Sequence, residues 1–104
     1  MIKAEFYSAD NILTGYKITG HSMSAPAGED IICAFVSSAA FMAANTITEV
    51  CNAQASTEAH NGFMEVNVTD SAQNVQDILN GLKLHLTELE KQYPENINVI
   101  ITEV

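Results

Sequence analysis

The chain has 104 residues, of which 47% are hydrophobic and 16% are charged. This composition predicts one globular domain, residues 1–104, and argues against intrinsic disorder, which requires low hydrophobicity. The chain has thirteen acidic residues and four lysines, which give a formal charge of −9. It has no arginine and no basic cluster, so we predict no nucleic-acid binding and no attraction to an anionic membrane.

The N-terminal part of the sequence predicts an antiparallel β-hairpin. Residues 2–8 and 12–19 both alternate apolar and polar side chains, and the turn-forming residues Ser8-Ala9-Asp10-Asn11 lie between them. The alternation at the N-terminus also lacks the continuous apolar run of a signal peptide, which predicts a cytoplasmic protein. Residues 20–29 contain two glycines and Pro26 and therefore predict a loop, which we expect to be mobile.

A long alanine-rich helix is predicted next, with Asp30 as its N-cap and its end near Cys51. It is apolar on nearly all sides, so we expect it to be buried or to lie at a subunit interface. Its most apolar stretch, Ile31–Ala44, is shorter than the ~20 residues that span a bilayer, so no membrane association is predicted.

The remaining sequence predicts a loop, two strands and a second helix. Residues 52–61 are polar and predict a loop, and residues 63–69 alternate as a strand does. Asp70 or Ser71 is expected to cap a helix that ends before Pro94, and residues 96–103 predict the last strand. The order ββαβαβ predicts an α+β fold, a two-layer α/β sandwich with a four-stranded sheet and two helices.

Cys33 and His21 are the residues on which chemistry is expected. In a helix capped by Asp30, Cys33 lies in the first turn, where unpaired N–H groups and the helix dipole favour a thiolate nucleophile and an oxyanion. His21 follows the second predicted strand, and the loop leads back to the helix start, so the two residues can lie side by side. A cysteine and a histidine within hydrogen-bond reach would form a nucleophile–base pair. The pattern alone leaves open that Cys33 is a small core residue and His21 an ordinary loop residue.

Two further residues are candidates for supporting roles. Asp30 either orients His21 or only caps the helix, and Ser37, one turn after Cys33, either lines the site or bonds to its own helix backbone.

The other cysteine and histidines are expected to be structural. If both cysteines lie on one helix, Cys51 is ~27 Å from Cys33, which argues against a disulfide between them. Cys51 is expected to pack, His60 to face solvent and His85 to lie at the edge of an apolar stripe. The spacing of these residues does not match that of metal ligands, so no metal site and no cofactor is predicted.

Two motifs resemble a known family. Gly20-His21 and the run Gly28-Glu29-Asp30-Ile31-Ile32-Cys33-Ala34-Phe35-Val36-Ser37 resemble the signature of the ribosomal-processing cysteine protease family, Prp, which reads Gly-His, a short loop, then Gly-x-Asp-Ile-Val-Cys-Ala-Ala-Val-Ser. The resemblance covers the whole chain and extends to several shorter matches: Met1-Ile2-Lys3-Ala4, Asn45, Glu49, Gly81-Leu82 and Tyr93-Pro94. The chain departs from the pattern at Ser22 and Phe35, where alanine is usual, and at Ile32, where valine is usual.

This resemblance implies a cytoplasmic cysteine endopeptidase that forms homodimers. Its substrate would be the precursor of large-subunit ribosomal protein twenty-seven, from which it removes an N-terminal extension after an aromatic residue. The family's base and nucleophile correspond to His21 and Cys33. The alternative is a non-catalytic dimeric binding module associated with ribosome assembly, in which the alanine-rich helix is an interface and Cys33 only packs.

Overall fold

The computed structural model describes residues 1–20, 27–70 and 72–104, with the backbone alone for residues 27–30. This part of the chain contains a sheet of five strands in the order β3-β4-β2-β1-β5, in which β5 runs parallel to β1 and the other neighbours are antiparallel. The elements are β1 (Ile2–Ala9), β2 (Ile12–Thr19), α1 (Ala27–Asn45), β3 (Ala55–His60), β4 (Phe63–Val68), α2 (Gln73–Gln92) and β5 (Ile97–Glu103).

The hydrophobic core lies between one face of the sheet and the two helices, so the predicted α+β architecture with two helices is confirmed. Alternate side chains of the central strands face the helices, and every third or fourth side chain of each helix faces the sheet, as the two periodicities require. The largest fully buried side chains come from both layers: Phe6, Tyr16, Ile18, Ile47, Leu79, Leu86 and Ile97.

The prediction of four strands is wrong, because residues 55–60 of the predicted loop 52–61 form β3. β3 lies at the edge of the sheet, and all of its side chains except Ala55 are exposed, so the sequence has no apolar alternation there. The signal that identifies this hairpin is Asn61-Gly62, because Asn-Gly is strongly preferred in two-residue turns that need positive φ. Gly62 has φ +79°.

Helix α1 begins three residues earlier than predicted. It starts at Ala27, so the last three residues of the predicted loop 20–29 are helical and Asp30 is not the N-cap. His21 and the rest of the loop that we expect to be mobile, residues 21–26, lie outside the described residues.

The other helix ends also differ in detail from the prediction. α1 ends at Asn45 and is followed by a π-helical turn, Thr46–Val50, which is capped by Cys51. The N-cap of α2 is Ala72, whose N–H donates a hydrogen bond to Asp70 Oδ1 at 2.9 Å. Asp70 therefore stabilises the approach to α2 without being its cap, and Ser71 lies outside the described residues.

The segment Ile31–Val50 is long and apolar enough to pass a length-and-composition test for a membrane span, with a mean hydropathy of 1.7. This segment is longer than Ile31–Ala44, the apolar stretch whose length led to the prediction of no membrane association. Core helices of soluble proteins pass the same test, and one side of this segment is buried against the sheet through Val36, Ala40, Ala43 and Ile47.

Candidate active site

Cys33 lies on the side of α1 that faces the sheet. It is 9% exposed and belongs to the same buried stripe as Val36 and Ala40. The Tyr16 hydroxyl in β2 donates a buried hydrogen bond to the Ala40 carbonyl at 2.8 Å. Burial raises the pKa of Tyr16, so the hydroxyl keeps its proton for this bond. The contact fixes α1 above β2 and thereby sets the position of Cys33.

Cys33 lies at the carboxyl end of β2. Moving from Ala40 back to Cys33 covers seven residues of α1, which is ~10 Å at 1.5 Å per residue. Moving from Tyr16 to Gly20 covers four residues of extended chain, which is ~13 Å. Because the chain leaves β2 at Gly20 and enters α1 at Ala27, both paths lead to the same end of the molecule. His21 is the next residue after Gly20 in the sequence.

Gly20 determines how the chain leaves β2. It has φ +92°, and a Cβ at this position would lie 2.3 Å from the Met1 carbonyl oxygen. Its N–H donates a hydrogen bond to the Gly62 carbonyl at 3.1 Å. Only glycine fits this conformation and this close approach, which gives the Gly-His motif a physical reason.

The expected position of Cys33 in the first helical turn is wrong. With α1 beginning at Ala27, Cys33 is its seventh residue and Asp30 its fourth. Unpaired N–H groups and the dipole act within the first turn, so the predicted oxyanion site at the N–H groups around Cys33 is not formed by α1. Ser37 is half-buried and lies on the Cys33 side of α1, one turn further along.

The structure separates the other cysteine and the two described histidines from Cys33. His60 is exposed in β3 and stacks on Phe63, with ring centroids 4.8 Å apart; its side chain lies on the face of the sheet opposite to α1, because its strand neighbours alternate with it. His85 is exposed on α2. Cys51 is free and half-buried against the core, as predicted from its position near the helix end.

A large apolar groove lies between α1 and α2, with a volume of about 770 Å³. At ~100° per residue, its α1 lining is centred ~170° around the helix from Cys33. The groove therefore opens on the opposite side of α1 from the candidate nucleophile. We call it the α1–α2 groove; its lining consists of Ala34, Phe35, Ser38, Ala39, Met42, Ile78, Gly81, Leu82, His85 and Leu89.

The side of α1 that carries Cys33 and Ser37 faces away from α2. α2 packs against β5 and β2, and the sheet order then places β4 and β3 on the other side of α1. The Cys33 side chain therefore lies on the side of α1 that is nearer to β4 and β3. Thr57 and Ala59 of β3 are exposed, although they pair with the buried residues Val66 and Met64 and so face the helix layer.

Comparison with known families assigns the class of this protein. The family described as cysteine protease Prp matches residues 1–98, so the chain is a cysteine peptidase. It belongs to the Prp family, which confirms the resemblance found in the sequence motifs.

Several solved structures share this fold. The SMU.848 protein from Streptococcus mutans is 27% identical, with a TM-score of 0.90 over 100% of this chain and 96% of that chain. The essential ribosomal processing protease Prp from S. aureus in complex with a substrate peptide is 24% identical, with a TM-score of 0.90 over 98% of this chain and 100% of that chain. The same S. aureus protease with a covalently linked product peptide has a TM-score of 0.87 at 24% identity, with the same coverage of both chains. No curated protein sequence matches this chain.

Proposed function

We propose that this peptidase removes the N-terminal extension of large-subunit ribosomal protein twenty-seven, with Cys33 as nucleophile and His21 as general base. The observation that carries the proposal is the position of Cys33, at the end of α1 that lies beside the carboxyl end of β2, from which His21 follows directly. The S. aureus structure that shares the fold is named as a ribosomal processing protease with a substrate peptide, which supports the same substrate class.

The proposed mechanism needs only these two side chains and water. His21 accepts the thiol proton of Cys33, and the thiolate attacks the scissile carbonyl carbon to form a carbon–sulfur bond. The C–N bond then breaks, and the departing amine takes the proton from His21. Water, deprotonated by His21, attacks the thioester and releases the acid product and the free thiol. No cofactor enters this sequence of steps.

The positions of the other histidines favour His21 as the base. A general base must come within hydrogen-bond reach of the proton that it removes. His60 lies on the face of the sheet opposite to α1, and His85 lines the α1–α2 groove, on the far side of α1 from Cys33. We assign supporting roles to Asp30, which would orient His21, and to Ser37, which would line the site beside Cys33.

The protein is proposed to act in the cytoplasm as a homodimer, without membrane or direct nucleic-acid binding. Its charge of −9, with lysine as its only strongly basic residue type, disfavours phosphate contacts. The exposed apolar side of α1 supports a protein–protein interface, because a contiguous apolar patch on a soluble protein marks a binding surface.

The test is cleavage of the extended ribosomal protein, followed by mass analysis of the product. Cys33→Ala should abolish cleavage while the fold survives, because alanine suits a helix and only the sulfur is lost. Cys51→Ala is the matched control, since it removes a second free thiol on the other end of the same helical segment, and its rate should stay within about two-fold of the parent's. Undiminished cleavage by Cys33→Ala would disprove the assignment of the nucleophile.

A further inference from the structure

The two edges of the sheet differ in how their outward backbone groups are satisfied. At the β5 edge, the Val99 N–H donates a hydrogen bond to Glu90 Oε2 at 2.7 Å, and the Ile97 N–H donates to the Tyr93 carbonyl at 3.1 Å. Glu90 lies in the last turn of α2, and Tyr93 follows that helix. The end of α2 therefore occupies the first two outward N–H groups of β5 and blocks strand pairing there.

The β3 edge is open. A two-residue turn at Asn61-Gly62 makes His60 and Phe63 a hydrogen-bonded pair. The alternation along the strand then points the N–H and carbonyl groups of Ala55, Thr57 and Ala59 away from β4. Within the described part of the chain, nothing bonds to these outward groups. Natural edge strands are usually blocked by lysine, proline or a bulge, and the sequence and register of β3 contain none of these.

The outer face of this edge carries one carboxylate, that of Glu58, which has no partner among the described residues. Glu58 of β3 lies directly opposite Glu65 of β4, and like charges in that position destabilise a sheet. Lys17, opposite Glu65 in β2, forms an ion pair with Glu5 at 3.6 Å. Glu65 Oε2 accepts a hydrogen bond from the Tyr7 hydroxyl of β1, so its carboxylate points away from β3. Within the described residues Glu58 has no ion-pair partner, and a basic side chain placed beside it by a further strand would supply one.

The open edge lies on the side of the molecule that Cys33 faces. The side of α1 that carries Cys33 and Ser37 is the side nearer to β4 and β3. On β3, the side chains of Thr57 and Ala59 face the helix layer and are exposed. The register places His60 level with Phe63 and Thr19, and hence at the same end of the sheet as Gly20. A strand added to β3 would run past the end of the molecule where Cys33 lies.

We propose that β3 binds an extended segment of the peptide substrate as a sixth strand of the sheet, and that Glu58 selects a lysine or arginine on its outer face. The bonds run between the substrate backbone and the outward groups of Ala55, Thr57 and Ala59. This inference rests on the proposed substrate, and it names the surface that binds the part of the substrate away from the scissile bond. Main-chain pairing gives affinity, and the Glu58 carboxylate gives sequence preference.

Replacement of one outward N–H tests the pairing. Thr57→Pro removes such a donor, and proline is tolerated in an edge strand when its nitrogen faces outward. For a peptide that spans the cleavage site of the ribosomal precursor, we expect KM to rise about 5-fold, the value of one hydrogen bond, with a smaller change in kcat. Ile101→Pro is the matched control, since the alternation from Val99 also points the Ile101 N–H outward, but on the β5 edge. Equal KM values for the two folded variants would overturn the proposal.

Amide hydrogen exchange tests the same contact in a chain with unaltered β3. In Cys33→Ala, binding of the peptide should slow exchange at Thr57 and Ala59 and leave Ser56 and Glu58, which already pair with β4, unchanged. Glu58→Gln should weaken binding of a peptide that contains lysine and reduce the salt dependence of its Kd. Unaltered exchange at Thr57 and Ala59 with saturating peptide would overturn the sixth strand even where cleavage depends on Cys33. A peptide that the parent enzyme neither cuts nor binds would overturn the substrate assignment as well.

Discussion

At the scale of single residues, Cys33 has an environment that differs from the one its sequence position suggests. Asp30 is a good capping residue, so the sequence places Cys33 in the first helical turn. The helix instead begins at Ala27, and Cys33 lies in the second turn at the edge of the core, 9% exposed. The sequence predicts Gly20-His21 as part of the site, and the structure adds a physical reason for the glycine, which is its close approach to Met1.

The first prediction concerns Gly20. Alanine at φ +92° is strained, and its Cβ would meet the Met1 carbonyl oxygen at 2.3 Å, so Gly20→Ala should lower the free energy of unfolding by about 1–2 kcal/mol. It should also lower kcat/KM at least 10-fold, because the residue that follows is the proposed base. Denaturant unfolding and peptide cleavage measure the two effects.

Gly81→Ala is the control for this substitution. A Cβ at Gly81 would have no atom within 4 Å, and alanine in the interior of a helix is more stable than glycine by about 0.5–1 kcal/mol. Gly81→Ala should therefore raise the free energy of unfolding. A gain in stability from Gly20→Ala would show that Gly20 is not held in its left-handed conformation.

At the scale of elements, the sequence predicts those that bury an apolar face. β1, β2, β4, β5 and α2 have clear periodicity, and their positions are confirmed to within a few residues. β3 buries no large apolar side chain, so no periodicity marks it, and only Asn61-Gly62 indicates its hairpin. Because β3 is polar, the sequence pattern does not identify it as a strand. The edge of this polar strand is also the open one.

The pairing of β5 with β1 predicts a dependence of stability on pH. The Thr102 hydroxyl in β5 donates a hydrogen bond to Glu5 in β1 at 2.6 Å, and this bond, with the nearby charge of Lys17, lowers the pKa of Glu5 below its ordinary value of 4.5. Ionised Glu5 therefore stabilises the fold above about pH 4.5, and this contribution is lost as the pH falls through the lowered pKa.

Thr102→Val should accordingly lower the free energy of unfolding at pH 7. The difference in unfolding free energy between this variant and the parent should shrink as the pH falls below 4.5. Urea unfolding at several pH values measures this. Thr87→Val is the control, because the Thr87 hydroxyl donates to the Lys83 carbonyl, which does not titrate. If Thr102→Val loses the same amount of unfolding free energy at pH 3 as at pH 7, the ionised carboxylate of Glu5 does not have this role.

At the scale of the whole molecule, the two proposed binding surfaces lie on opposite sides of α1. The Cys33 side looks towards β3, and the other side carries the α1–α2 groove. The exposed Met42 and Phe35 line this groove, and Gly81 leaves open space in its wall. A substrate held at Cys33 does not occupy this groove, because α1 stands between them. The sequence predicts that the apolar helix lies at a subunit interface, and we propose this groove as the surface that a second copy of the chain would bind.

The last prediction tests the groove as the interface of the proposed homodimer. Met42 is 59% exposed, so Met42→Glu should not disturb the protomer, but it would bury a carboxylate in an apolar interface, which is strongly unfavourable. Sedimentation velocity should show a dimer for the parent and a monomer for Met42→Glu at micromolar concentration. Ile101→Glu is the matched control, because Ile101 is 56% exposed at the β5 edge, away from the groove, and this variant should stay dimeric. If both variants remain dimeric, the subunits meet elsewhere; if the parent is monomeric at these concentrations, the homodimer itself is wrong.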